Sequence, residues 1–146
     1  MMFILSHTPL KELDLTEELV DPAAGALATF EGWVRDHSEG RQVQRLEYQA
    51  YPEMALKEGA KILAEAGEKF EILGGKCVHR VGPLEIGDMA VWVGATAAHR
   101  KQAFLACEYI IDQIKSRVPI WKKEYYVGGD SGWVNAPMSL TDRPAP

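Results

Sequence analysis

The sequence predicts an α+β fold, a mixed and largely antiparallel sheet with two long helices. Two runs carry an apolar period of three to four residues, the strand-like runs come in pairs joined by glycine-bearing connections, and the order is roughly ββαββαβ. No GxGxxG or GxxxxGK[ST] motif is present, so a nucleotide-binding parallel sheet has no support.

"FILS" reads as a short strand and "LTEELV" as a helical turn. "GALATFEGWVR" follows, long and rich enough in aromatic and β-branched residues for a strand. "QVQRLEYQAY" alternates polar and apolar residues, and with Gly40 in the loop "DHSEGR" it is expected to pair with the preceding strand as a hairpin. From Pro52 the period becomes helical, with Ala55, Gly59, Ile62, Leu63, Ala66 and Phe70 on one face and "LGG" ending the run. "KCVHRVG" and "DMAVWVGAT" are two further strands joined by the hairpin-like "PLEIG". A second helix is expected from near Thr96, with Phe104, Cys107, Ile111 and Ile114 on its face, and Pro119 stops it at about Val118. "IWKKEYYV" returns as a strand, and "VGGDSGW" reads as a turn with a packed tryptophan.

The 146 residues suit a single domain, assigned to 1–135, with the proline-rich "APMSLTDRPAP" at 136–146 as a loose C-terminal tail. A chain of this size buries roughly 68–70% of its unfolded surface. The apolar fraction is 47%, with no apolar run long enough for a bilayer span. The N-terminus lacks the basic and apolar regions of a signal peptide, and a cytoplasmic location is expected. The net charge of −5 argues against a broad nucleic-acid interface, so any anion site has to be local. Cys77 and Cys107 form no CxxC motif and read as two buried thiols, and the four scattered histidines do not suggest a metal centre.

Three stretches are candidates for chemistry. Beside Thr96, read as the cap, His99, Arg100 and Lys101 place three basic residues in the first turn of the second helix, where the dipole favours acids. Either an anion binds there, or the three point to solvent or pair with acids such as Glu31 or Glu85. In "IKSRVPIWKKE", Lys115 and Arg117 occupy a helix end that suits cations, while Lys122 and Lys123 point to opposite faces of a strand. These lysines are either solvated or desolvated chemistry on the stiff Pro119–Trp121 surroundings. Bringing a lysine from about 10.4 to 7–8 takes about 4 kcal/mol of differential interaction, an amount within reach of several nearby positive groups together with burial. In "VRDHSEG", Arg35 ends a strand and His37 sits in the next loop, a frequent place for ligand contacts and for ordinary surface.

"ATFEGWVRDHSEGRQVQRLEYQAYPEMA" at 28–55, "HRVGPLEIGDMAVWVGATAAHRKQAF" at 79–104 and "IKSRVPIWKKE" at 114–124 occur in this order at compatible spacing. Together they resemble the catalytic large subunit of molybdopterin synthase over most of the chain. The resemblance implies an α/β hammerhead fold, a homodimer, and a heterotetramer with two small ubiquitin-like sulfur carriers. Each carrier would insert a C-terminal Gly-Gly thiocarboxylate into a pocket, and sulfur would pass to cyclic pyranopterin monophosphate to build the dithiolene of molybdopterin. No metal or other cofactor is implied. Carried over residue by residue, the resemblance places catalytic lysines at Lys115 and Lys122. It places substrate-binding groups at Arg35, His99, Arg100 and Glu124, with Lys123 at most a contact. Two other readings from different classes remain: a lysine Schiff-base enzyme and a non-catalytic docking subunit.

Overall fold

A computed structural model describes residues 1–134; the tail expected at 136–146 lies outside them. Two sheets share the chain. The first has four strands in the order β1 (Met2–Ser6), β5 (Gly74–Arg80), β7 (Met89–Ala97) and β2 (Ala26–Trp33). Within it β1 runs parallel to β5, and the other two pairings are antiparallel. The second runs β3 (His37–Ser38), β4 (Arg41–Ala50), β8 (Ile120–Tyr126) and β9 (Ser131–Val134), with β6 (Gly82–Glu85) also paired to β4. The α+β class is therefore as expected.

Both helices pack on one face of the first sheet. Helix α1 (Pro52–Lys69) begins with proline at its first turn, where a missing N–H costs nothing, and buries Ala55, Gly59, Ile62, Leu63 and Ala66. Helix α2 (Arg100–Arg117) buries Ala103, Ala106, Cys107, Ile110, Ile111 and Ile114. They close over Phe3, Cys77, Val91 and Val93 to form the main core. At Gly59 the helix approaches β1 so closely that an added Cβ would lie 2.2 Å from the Phe3 ring. The opposite face is covered by the short 3-10 turns Leu10–Glu12 and Glu17–Leu19, whose Leu10 and Leu19 pack on Val78 and Trp92. Cys77 and Cys107 are buried free thiols, pushed up in pKa by burial, as expected.

Four expectations change. The strand at 26–33 does not pair with β4: it lies beside β7 in the first sheet, while β4 belongs to the second. Only the two-residue β3 makes a hairpin with β4, through Glu39 and Gly40, both at positive φ. The connection "PLEIG" is not a simple hairpin turn either, since its start forms β6 on β4, although β5 and β7 do pair. Thr96 is a buried residue of β7 and not a cap; the α2 cap is His99, without a side-chain cap bond. "VGGDSGW" contains the strand β9 as well as a turn.

The junction of α2 and β8 sets the site. Val118 caps the helix, Pro119 prevents its continuation, and the Ile120 N–H donates to the Val118 carbonyl at 2.8 Å. The second sheet thus begins two residues after the helix ends. Among the described residues no helix is long and apolar enough to cross a membrane.

Candidate active site

A cavity of about 350 Å³ lies where the C-terminal end of α2 and the ends of β5 and β7 meet β4 and β8 of the second sheet. Its floor is apolar, from Val91, Ile111, Ile114 and Val118. Three cations line it: Arg35 from the segment after β2, Lys115 from the last turn of α2, and Lys122 from β8. No carboxylate is among the described residues that line it, so this lining favours negative charge.

The two lysines are held differently. Lys122 Nζ lies 3.6 Å from Glu124 Oε2, two residues along the same strand and hence on the same face, and Glu124 is buried. Glu124 also accepts a 3.0 Å hydrogen bond from the Tyr126 hydroxyl. Lys115 is exposed at the cavity and, among the described residues, has neither an ion pair nor a hydrogen bond. Above them sit Tyr48 and His79, their rings edge to face with centroids 4.9 Å apart. Burial first, and then the Glu124 charge, push the Tyr48 phenol up to about 12. Burial is also the main cause that brings His79 down to about 4; the bond to the Arg80 carbonyl opposes it and the Lys115 charge adds to it. Both residues therefore stay neutral at ordinary pH.

The remaining expected site residues lie elsewhere on the chain. His99 and Arg100 are exposed at the other end of α2, about 22 Å from Lys115 at 1.5 Å per residue. Neither they nor Lys101 pair with Glu31 or Glu85 among the described residues. Lys123 faces away from the cavity, as strand alternation requires, with Nζ 5.3 Å from the Tyr125 ring and 5.7 Å from Trp133. A direct substrate contact for Lys123 in this cavity does not fit that geometry. Glu124 braces Lys122 and does not line the cavity. His37 is exposed and bonded to Asp36 at 2.9 Å. Arg117 belongs to a helix clamp, with bonds of 2.9 Å to Glu58 and 2.6 Å to Glu65 on α1. Among the described residues no group of three or more His, Cys, Asp or Glu is arranged to hold a metal.

Sequence reasoning missed His79 and Tyr48. His79 stands within a quoted motif, but nothing in one sequence shows that a strand-end histidine faces a cavity.

The model of the family described as MoaE protein matches residues 5–117. The chain belongs to the MoaE family. It is 42% identical over 129 residues to the molybdopterin synthase catalytic subunit of Thermoplasma volcanium, covering 88% of this chain and 94% of that one. It is 39% identical to the Bacillus subtilis protein of the same name, covering 97% and 90%. Among solved structures, molybdopterin synthase from Staphylococcus aureus superposes with a TM-score of 0.79 at 38% identity, covering 92% of this chain and 96% of that one. A complex of subunits 1 and 2 of molybdopterin-converting factor from Helicobacter pylori matches with a TM-score of 0.73 at 22% identity, covering 94% of each chain, and shows the same fold. MoaE membership thus places this chain among molybdopterin synthase catalytic subunits, and the three motifs read from the sequence fall largely inside the matched range.

Proposed function

We propose that this chain transfers two sulfur atoms in succession to cyclic pyranopterin monophosphate, each from the thiocarboxylated Gly-Gly terminus of a small ubiquitin-like carrier that leaves as the carboxylate, to build the dithiolene of molybdopterin. The observation that carries this reading is the cavity in which Arg35, Lys115 and Lys122 converge with no carboxylate among the described lining residues, on a chain of the MoaE family. Both reactants bring negative charge to one place, a cyclic phosphate and a thiocarboxylate, and three cations on an apolar floor offset it. Arg35 binds phosphate oxygens. Lys115, without an ion pair or hydrogen bond among the described residues, donates a proton or stabilises the oxyanion of the tetrahedral intermediate. Lys122, braced by Glu124, is the fixed cation beside it.

His99 and Arg100 fit this scheme through a second copy of the chain. One α2 helix holds them about 22 Å from its own Lys115, so in a homodimer they serve the partner's cavity as phosphate contacts. Two carriers, one per cavity, then complete a heterotetramer; the assembly of two subunits in the Helicobacter pylori protein is the parallel for carrier docking.

Reconstitution tests the proposal. Purified protein, a thiocarboxylated carrier and cyclic pyranopterin monophosphate are expected to give molybdopterin, and the Lys115→Ala protein to give none. Carrier binding without product from the unaltered protein would leave only a docking subunit.

A further inference from the structure

The cavity has a marked imbalance of hydrogen-bonding types. Arg35, Lys115, Lys122 and Trp121 can only donate, and the side chains able to accept are the Tyr48 hydroxyl and the His79 imidazole. His79 is fixed for that task. Its Nδ1 lies 2.8 Å from the Arg80 carbonyl, and a carbonyl only accepts, so the ring proton resides on Nδ1 and Nε2 keeps a lone pair. Pairing of β5 with β7 sets the backbone, and the edge-to-face Tyr48 ring fixes the imidazole plane.

Among the groups of this cavity without a hydrogen bond or ion pair to a described residue are three donors, the Lys115 ammonium, the Arg35 guanidinium and the buried Trp121 Nε1, and one acceptor of fixed tautomer, His79 Nε2. Of the three donors, Lys115 is the one whose charge acts on the imidazole, and the two side chains line the same cavity. We propose that His79 is a positioning residue for Lys115, its Nε2 receiving the ammonium when the side chain turns into the cavity and holding Nζ toward the reacting atoms. This rests on the proposed sulfur transfer for its purpose but not for its geometry.

The choice of partner has a physical consequence. A carboxylate at this position would cancel part of the positive charge that the two anionic reactants need, whereas a neutral acceptor orients the lysine and leaves its charge in place. The imidazole shares its surroundings with Tyr48 from β4, Arg80 from β5 and Lys115 from α2, and the cavity also holds Arg35 and Lys122, the cross-strand partner of Tyr48. None is an acid, and burial disfavours a protonated ring.

The test begins without substrate. In protein with ¹⁵N-labelled histidine, the His79 shifts are expected to report a neutral ring protonated at Nδ1, and the Nε2 resonance to move downfield on Lys115→Ala as the donor is lost. An Nε2 shift unchanged by Lys115→Ala, or a ring protonated at Nε2, overturns the proposal. Turnover then compares two substitutions. His79→Gln retains an acceptor near the Nε2 position, and His79→Asn retains only a group near Nδ1. His79→Asn is expected to lose about tenfold in kcat with KM unchanged, the effect of one lost hydrogen bond to a charged group, and His79→Gln to restore most of it. Equal activity of the two, or a loss confined to KM, rejects the positioning role. If the unaltered protein makes no molybdopterin, the sulfur-transfer reading fails while the resonance experiment still decides the His79–Lys115 contact.

Discussion

Lys122 Nζ stands 3.6 Å from the buried carboxylate of Glu124, while Lys115, which lines the same cavity, has no acidic partner among the described residues. The pair of lysines is thus chemically unequal, although the sequence presents them as near equivalents around Val118–Trp121.

The inequality predicts coupling. Glu124→Gln removes the brace from Lys122 but leaves Lys122 itself, so single and double substitutions with Lys122→Ala should not add. A coupling of about 0.5–3 kcal/mol in kcat/KM is expected, measured as a double-mutant cycle. Strict additivity would mean that Glu124 acts elsewhere.

Lys115→Ala should leave the fold intact, because the side chain is exposed and bonded to no described residue. The expected outcome is a melting temperature within error of the unaltered protein, with turnover lower by at least about 10²-fold. A lower melting temperature would assign the lysine a structural part.

The clamp between the helices predicts a response to acid. Hydrogen bonding to Arg117 is the main cause holding the Glu65 carboxyl below its ordinary value of 4.5. Its folded-state pKa is depressed, so the stability it contributes is present above the unfolded value and is lost as pH falls through the folded one. Lys76 does the same to Glu18, and Arg41 to Asp130. Melting temperature should therefore decline below about pH 4.5, and Glu65→Gln should have a shallower decline, seen by thermal melts across pH 2.5–6.

Gly59→Ala tests the packing of α1 on β1. The added methyl meets Phe3 ring atoms at 2.2–2.8 Å, so the ring or the helix has to shift. Overpacking of this kind costs about 1–3 kcal/mol and should lower the melting temperature by roughly 2–10 °C. Calorimetry decides it, and combining the change with Phe3→Leu should recover part of the loss.

How much of this was legible in the sequence depends on the range of the interactions. Helix α1, with its proline start and buried stripe from Ala55 to Ala66, is written in local spacing and was read correctly. The partner of β2 was not, since an alternating strand specifies a face and a length but not a neighbour; only the packed fold selects β7. Thr96, a threonine before a basic, helix-forming run, satisfies the local rule for a cap, yet the first sheet continues through Ala97 and keeps it in β7. For the site, the motifs pointed to Arg35, Lys115 and Lys122, and the structure brings these three to one cavity. Which of Lys122 and Lys123 faces inward is a parity that the register with β4 decides. His79 was invisible because its role rests on a neighbouring carbonyl and an aromatic edge, neither of which is a sequence pattern.

The junction at Pro119 works as a molecular ruler. Because α2 passes into β8 with only two residues between them, the count from Lys115 to Lys122 is coupled to the parity of the strand. One residue inserted or deleted there would exchange the faces of Lys122 and Lys123, turning Lys122 and its glutamate outward together. The spacing between the two lysines is therefore constrained in number as well as in composition.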